Sequence, residues 1–184
     1  MNRKIATLAA AVLSISVLMS ACKKDDHDHD DHNHDEEELI TKVKLKFYQQ
    51  GAFREDYVWD DPDGDGGNPP AIDTIKLSAS TIYDSVQVEF SNANEDITEE
   101  VRQENLDHEV FYTKSKNLPL VIFTTDADDK DQPLGLTSIW TTTVTKASGD
   151  VRITLKHKPG IKGNNDPVTK GETDIEVEFP VKVE

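Results

Sequence analysis

The stretch Thr41-Lys42-Val43-Lys44-Leu45-Lys46-Phe47 sets an apolar side chain at every second position and a lysine between each pair. Successive side chains of an extended chain point to opposite faces, so this period of two predicts a half-buried β-strand with Val43, Leu45 and Phe47 turned to the core. Phe53 to Trp59 is its predicted hairpin partner, reached through a turn around Gly51. Alternating runs recur at Ile72 to Ser78, Ile82 to Phe90, His108 to Thr113, Leu118 to Thr125, Leu134 to Thr145, Val151 to Lys158 and Thr173 to Val183. Pro180 cannot donate to a ladder and predicts an edge position for the last of these. Asp96-Ile97-Thr98-Glu99 offers an aspartate cap with a glutamate three residues on, which predicts one helix running to about Asp107 with Ile97 and Val101 on its inner face. Many short strands and one helix predict an all-β fold, an antiparallel immunoglobulin-like β-sandwich over residues 39–184. Its aromatic core candidates are Phe47, Trp59, Phe90, Phe111, Phe123, Trp140 and Phe179.

Upstream of the β domain the chain changes character twice. Residues 25 to 38 hold four histidines and nine carboxylates without one apolar side chain, so nothing there offsets the entropy of ordering, and a disordered, solvated tether is expected over 22–38. His27, His29, His32 and His34 fall in two pairs of spacing two, interleaved with Asp28 and Asn33 and joined by Asp30 and Asp31. Neutral imidazole ligates zinc, copper and nickel, and carboxylates complete a coordination sphere. His27, His29, His32, His34, Asp28 and Asp30 are therefore the candidate ligands for zinc or copper. Nearby carboxylates raise the histidine pKa values, so protons compete with the metal near neutral pH. The plainer alternative is an acidic spacer in which histidine is incidental.

Before the tether, Asn2-Arg3-Lys4 followed by the apolar run Ile5 to Met19 forms a signal peptide over residues 1–21, since about 15 apolar residues fall short of the roughly 20 that span a bilayer. Leu18-Met19-Ser20-Ala21-Cys22 resembles the lipobox of bacterial lipoproteins, in which the cysteine receives a diacylglyceryl group and its freed amine a further acyl chain such as palmitate. Two or three chains hold a protein on a membrane almost permanently, so the resemblance implies lipidation at Cys22 and a membrane anchor without a membrane span. Lys23-Lys24-Asp25-Asp26 resembles the signal that directs lipoproteins of the Bacteroidota to the outer face of the outer membrane, which implies display at the cell surface. Asp73-Thr74-Ile75 and Asp84-Ser85-Val86 are similar to the O-glycosylation sequon of proteins exported by the same phylum.

Charge and cysteine content narrow the chemistry. A formal charge of -16 repels phosphate backbones, so nucleic acid is excluded as a partner, and cations or basic surfaces fit better. With Cys22 as the single cysteine, neither an internal disulfide nor a cysteine-based zinc site can form. Asp61, Asp63 and Asp65 followed by Gly66 match the first half of a calcium loop, but Ile72 stands where its closing glutamate belongs, leaving a plain acidic turn as the alternative. Thr125 to Gly135 is similar to the aspartate-rich turns of bacterial cadherin-like modules, with Lys130 inside it. His108 and His157 are the two histidines of the folded part, read respectively as a capping or packing residue and a surface residue. No nucleophile motif or phosphate-cradling loop is present, and no catalytic residue is assigned.

The lipobox, Asp63-Gly64-Asp65-Gly66, the segment Glu95 to Val101, Thr125-Asp126-Ala127-Asp128, Pro133-Leu134-Gly135-Leu136 and the segment Gly171 to Val177 together resemble a family of small Bacteroidota lipoproteins often labelled "type 1 periplasmic binding fold superfamily protein". That label implies a larger fold alternating strands with helices, whereas the strand pattern implies a sandwich. The resemblance also implies association with a TonB-dependent receptor of the outer membrane. Two functions follow as expectations: a surface lipoprotein that gathers transition metal, or an adhesion module that binds glycan or protein.

Overall fold

The structure is a computed structural model and describes residues 39–64 and 66–184, all within one compact unit. The signal peptide, Cys22, the histidine-bearing tether and Asp65 lie outside the described residues. Ten strands and one short helix follow in the order β1 (Lys42–Gln49), β2 (Ala52–Asp60), β3 (Ala71–Ile72), β4 (Ile75–Leu77), β5 (Ile82–Ser91), α1 (Thr98–Gln103), β6 (His108–Lys114), β7 (Leu120–Thr124), β8 (Thr137–Thr142), β9 (Ala147–His157) and β10 (Glu172–Val183). They form a six-stranded sheet ordered β3-β2-β1-β5-β8-β7 and a four-stranded sheet ordered β4-β10-β9-β6. The described residues are thus all-β with one short helix. Its second sheet is mixed rather than purely antiparallel, because β4 joins β10 in parallel.

β1 shows the predicted alternation, with Val43, Leu45 and Phe47 buried beside Phe90, Val88 and Val86 of β5. Its turn into β2 uses Gln50 and Gly51, both at positive φ (53° and 71°), the two-residue hairpin geometry that matches the strand twist. Phe47 meets the rings of Tyr57, Tyr83 and Trp140 edge-on at centroid distances of 5.5, 5.4 and 5.1 Å, the favoured arrangement of aromatic quadrupoles. Side chains of both sheets, including Val110, Ile153, Leu155, Val177 and Phe179 from the smaller one, belong to this single hydrophobic cluster.

Several expectations are corrected. The run Ile72 to Ser78 is two strands in different sheets: Asp73 ends the pairing with β2, its carboxylate accepting the Val58 N–H (2.9 Å) and its own N–H donating to the Val58 carbonyl (3.0 Å), and from Ile75 the chain pairs with β10 instead. The helix stops at Gln103, and Asp96 accepts the N–H of Thr98 at 2.9 Å without Glu99 closing a capping box. Ile97 and Val101 are buried as expected, and the Thr98 hydroxyl bonds the backbone of Phe90, seating the helix on β5. Phe111 and Trp59 are only partly buried and Phe123 is 68% exposed, since the outward face of the edge strand β7 carries it; the unpredicted Tyr57 and Tyr83 fill the core instead.

β10 is not an edge strand, since β4 and β9 flank it. Pro180 is accommodated because Asp150, opposite it, donates its N–H to the Ser115 hydroxyl and accepts the Ser115 N–H at its C=O on the other side, so the Asp150–Pro180 pair needs no exchanged hydrogen bond. On the far side, β4 begins to pair only at Val181. No helix among the described residues is long and apolar enough to cross a membrane.

Candidate functional site

Three loops gather at one end of the four-stranded sheet: residues 104–107 before β6, 125–136 between β7 and β8, and 158–171 between β9 and β10. β6 begins with His108 and β9 ends with His157, directly opposite in register. The N–H of Lys158 donates to the Asp107 carbonyl, so His108 and His157 form the neighbouring non-hydrogen-bonded pair, in which side chains approach most closely. Their rings stack at 4.7 Å with planes 12° apart. β10 contributes a bulge between Thr173 and Ile175, and the extra residue, Asp174, turns its carboxylate to 3.7 Å from His108 Nε2. Bulges re-aim side chains in this way. Gly171, at φ 82°, permits the approach, since a Cβ there would lie 2.4 Å from the His157 carbonyl oxygen.

His108 Nδ1 lies 3.2 Å from the Glu104 carbonyl oxygen and 3.9 Å from the Glu104 carboxylate. Ligand atoms of Glu104, His108 and His157 all fall within 4.8 Å of one another. Burial pulls the His108 pKa below its ordinary 6.5, outweighing the Glu104 carbonyl that favours the charged ring. The folded chain therefore takes up this proton less readily than the unfolded one, and stability falls as pH drops below about 6.5 toward the lower folded value. Urea midpoints measured at pH 7.5 and 5.5 should show a larger loss at pH 5.5 in the native chain than in a His108→Asn chain. Glu104, Asp107, Asp174 and His157 face the ring in that comparison; Glu109, whose carboxyl burial pushes up, slopes the other way and is common to both chains.

Two buried lysines bind the loops around this pair. Lys158, fully buried, contacts the Glu109 carboxylate and lies 3.3 Å from that of Asp166 and 4.9 Å from the Phe111 ring centroid. Asp166 is shared with Lys170 at 2.8 Å and accepts the Gly163 N–H, and these contacts hold its pKa below the usual aspartate range. Lys162 pairs with Asp128 at 2.9 Å and donates to the Asn105 carbonyl at 2.7 Å, so one ammonium joins all three loops. Burial pushes the Asp128 carboxyl up, but Lys162 and the N–H groups of Gln132 and Lys130 pull it further down.

Sequence-predicted sites fare differently. Asp61 and Asp63 share the loop after β2, where Asp63 accepts the N–H and side-chain amide of Asn68 at 2.9 and 2.7 Å, which lowers its pKa. That carboxylate serves its own turn, and Asp65 lies outside the described residues. In the second aspartate-rich loop, Asp128 is occupied by the ammonium of Lys162 rather than by Lys130. Glu104, His108 and His157 were not grouped by sequence reasoning. The spacing Glu104-x-x-x-His108 was a usable signal, but His157 enters only through the β6–β9 register.

A groove of about 550 Å³ lies between the edge strands β6 and β7, lined by Phe111, Tyr112, Ile122, Phe123, Asp126 and Pro133 among others. Val121 and Phe123 on β7 and Ile82 on β5 are exposed apolar residues of the six-stranded sheet, Ile82 and Val121 both opposite Thr141. No family model matches the chain, and neither a curated protein nor a solved structure does.

Proposed function

We propose that this protein is a lipoprotein anchored through Cys22 in the outer membrane and displayed at the cell surface, where its histidine- and aspartate-rich arm gathers zinc or copper as accessory to a TonB-dependent receptor. The observation that carries this reading is the crowding of four histidines and nine carboxylates into residues 25 to 38, directly after the lipobox cysteine. His27, His29, His32 and His34 with Asp28 and Asp30 supply the ligands, and a chain that must lose entropy to wrap an ion binds several ions weakly. Calcium at Asp61, Asp63 and Asp65 is a secondary proposal. In calorimetric titration of the mature chain with zinc at pH 7.5, replacing the four arm histidines with asparagine is expected to abolish the weak, multi-ion phase. The same phase should fade in the native chain below about pH 6 as imidazoles protonate. Equal uptake by both chains would remove the arm from the mechanism.

The second reading, a surface module that binds protein or glycan with the arm as a spacer, is favoured by the exposed Val121 and Phe123 beside the β6–β7 groove. It requires the histidine-to-asparagine chain to retain full function.

A further inference from the structure

We propose that β7 is the seat of a symmetric dimer, in which two copies of this chain join their six-stranded sheets edge to edge through antiparallel β7 strands that meet at Phe123. The inference goes beyond both readings above and rests on neither.

A strand at the edge of a sheet offers a row of unpaired N–H and C=O groups, and soluble chains blunt such edges. Four described strands end the two sheets: β3, β4, β6 and β7. Three of them are blunted. β3 has two residues and follows Pro69-Pro70. In β4 the Tyr57 hydroxyl oxygen lies 3.0 Å from the Lys76 backbone nitrogen and 2.9 Å from its carbonyl oxygen, so the outward groups are taken. In β6 the Val110 N–H donates to the Leu134 carbonyl at 2.8 Å, and Glu109 and Lys114 add charge. β7 carries none of these devices. Leu120–Thr124 contains neither proline nor charge, and its Val121 and Phe123 are 60% and 68% exposed.

Which backbone groups point outward follows from the pairing with β8. Thr125 donates to the Thr137 carbonyl and Thr143 to the Pro119 carbonyl, so Pro119, Val121, Phe123 and Thr125 are the residues bonded to β8. Leu120, Ile122 and Thr124 therefore turn their N–H and C=O groups to the open side. The Leu120 N–H is already spent on the Leu118 carbonyl at 2.8 Å. What remains is the donor and acceptor of Ile122 and of Thr124, placed symmetrically about Phe123. A two-fold axis at Phe123 lets each Ile122 exchange both bonds with Thr124 of the other copy. An axis at Ile122 would need the spent Leu120 N–H, and one at Thr124 would need the Asp126 carbonyl, which already accepts the Leu134 N–H.

With the axis at Phe123, the two copies of that residue form a non-hydrogen-bonded pair with Cα atoms about 4.5 Å apart, and their rings cover each other on the outer face. Charge selects the same occupant. A chain of net charge -16 repels its copies over most of its surface and can approach them where charge is absent, and no charged side chain occurs from Asn117 to Thr125. A neutral strand whose outward groups are symmetric about one residue is complementary to itself, and an isologous contact of this kind closes at two copies.

The test uses residues 22–184 without lipid, in reducing buffer with a chelator, so that neither Cys22 nor arm-bound metal can link copies. In sedimentation velocity the dimer fraction is expected to rise with concentration, with no larger species. Phe123→Lys sets like charges opposite each other and should shift the chain to monomer at every concentration. Phe123 is exposed, so this variant keeps its fold, which an unchanged circular dichroism spectrum verifies. Register is read by oxidation in a Cys22→Ser background. Phe123→Cys is expected to form an intermolecular disulfide, since about 4.5 Å lies within the reach of that bond. Val121→Cys is not, because its two copies stand about 14 Å apart along the strands. A native chain that stays monomeric throughout, a dimer that persists in Phe123→Lys, or crosslinking of Phe123→Cys no faster than that of Val121→Cys overturns the proposal.

Discussion

An Asp128→Ala chain is expected to lose about 3–5 kcal/mol of unfolding free energy in urea titration, because it strands the ammonium of Lys162 without its carboxylate. Both side chains are essentially out of water, 1% and 0% exposed, so solvent cannot replace the missing partner. Asp128 also accepts the N–H groups of Lys130 and Gln132, which would open the 125–136 loop when lost. Removing both charges together, as Asp128→Ala with Lys162→Met, should recover much of the loss, since apolar replacements of a buried pair are often close to neutral. A double variant no more stable than Asp128→Ala would mean that the backbone contacts, rather than the charge, hold the loop. The sign in acid follows from the same group. Asp128 ionises below the ordinary aspartate pKa of 3.8 when folded, so its contribution is present above that value and is lost as pH falls through the lower folded one.

The second large effect is at the opposite extreme of polarity. Trp140→Ala should cost about 3–5 kcal/mol, the range for truncating a buried aromatic side chain. Trp140 is fully buried, packs edge-on against Phe47 and Tyr112 at 5.1 and 6.1 Å, and donates its indole N–H to the Ser138 hydroxyl at 2.9 Å. Its deletion leaves a cavity and removes a partner from Ser138, itself buried. Thermal unfolding followed by near-UV circular dichroism would report the loss. Trp140→Phe should be milder, since it keeps most of the ring volume and removes mainly the hydrogen bond.

What the sequence disclosed about the fold is what period two can disclose. Val43, Leu45 and Phe47, or Val86, Val88 and Phe90, state their own burial because neighbouring residues point to opposite faces. The same rule cannot tell which strands pair, and so Ile72 to Ser78 read as one strand although Asp73 sends its two halves to different sheets. It cannot tell an inner row from an outer one on an edge strand, and so Phe123 read as core. Pro180 suggests an edge strand, yet β10 lies inside its sheet, because the pattern of bonds that frees Asp150 opposite it belongs to the register. The folded-domain cluster was hidden for the same reason: Glu104 and His108 are local in the chain, whereas His157 and Asp174 reach them only through β9 and the bulge of β10. The arm showed the reverse case, where composition alone displays the candidate ligands because no packing is needed to bring them together.

The passage at Asp73 and Thr74 has a mechanical consequence. β3 is zipped to one sheet and β4 to the other, with only two residues between them, so that Ile72 and Ile75 are held within about 10 Å of each other at full stretch. Neither sheet can move away from the other at this point without first tearing β3 from β2 or β4 from β10. Under a pulling force the two sheets should therefore yield together, as one event, rather than peel apart in sequence.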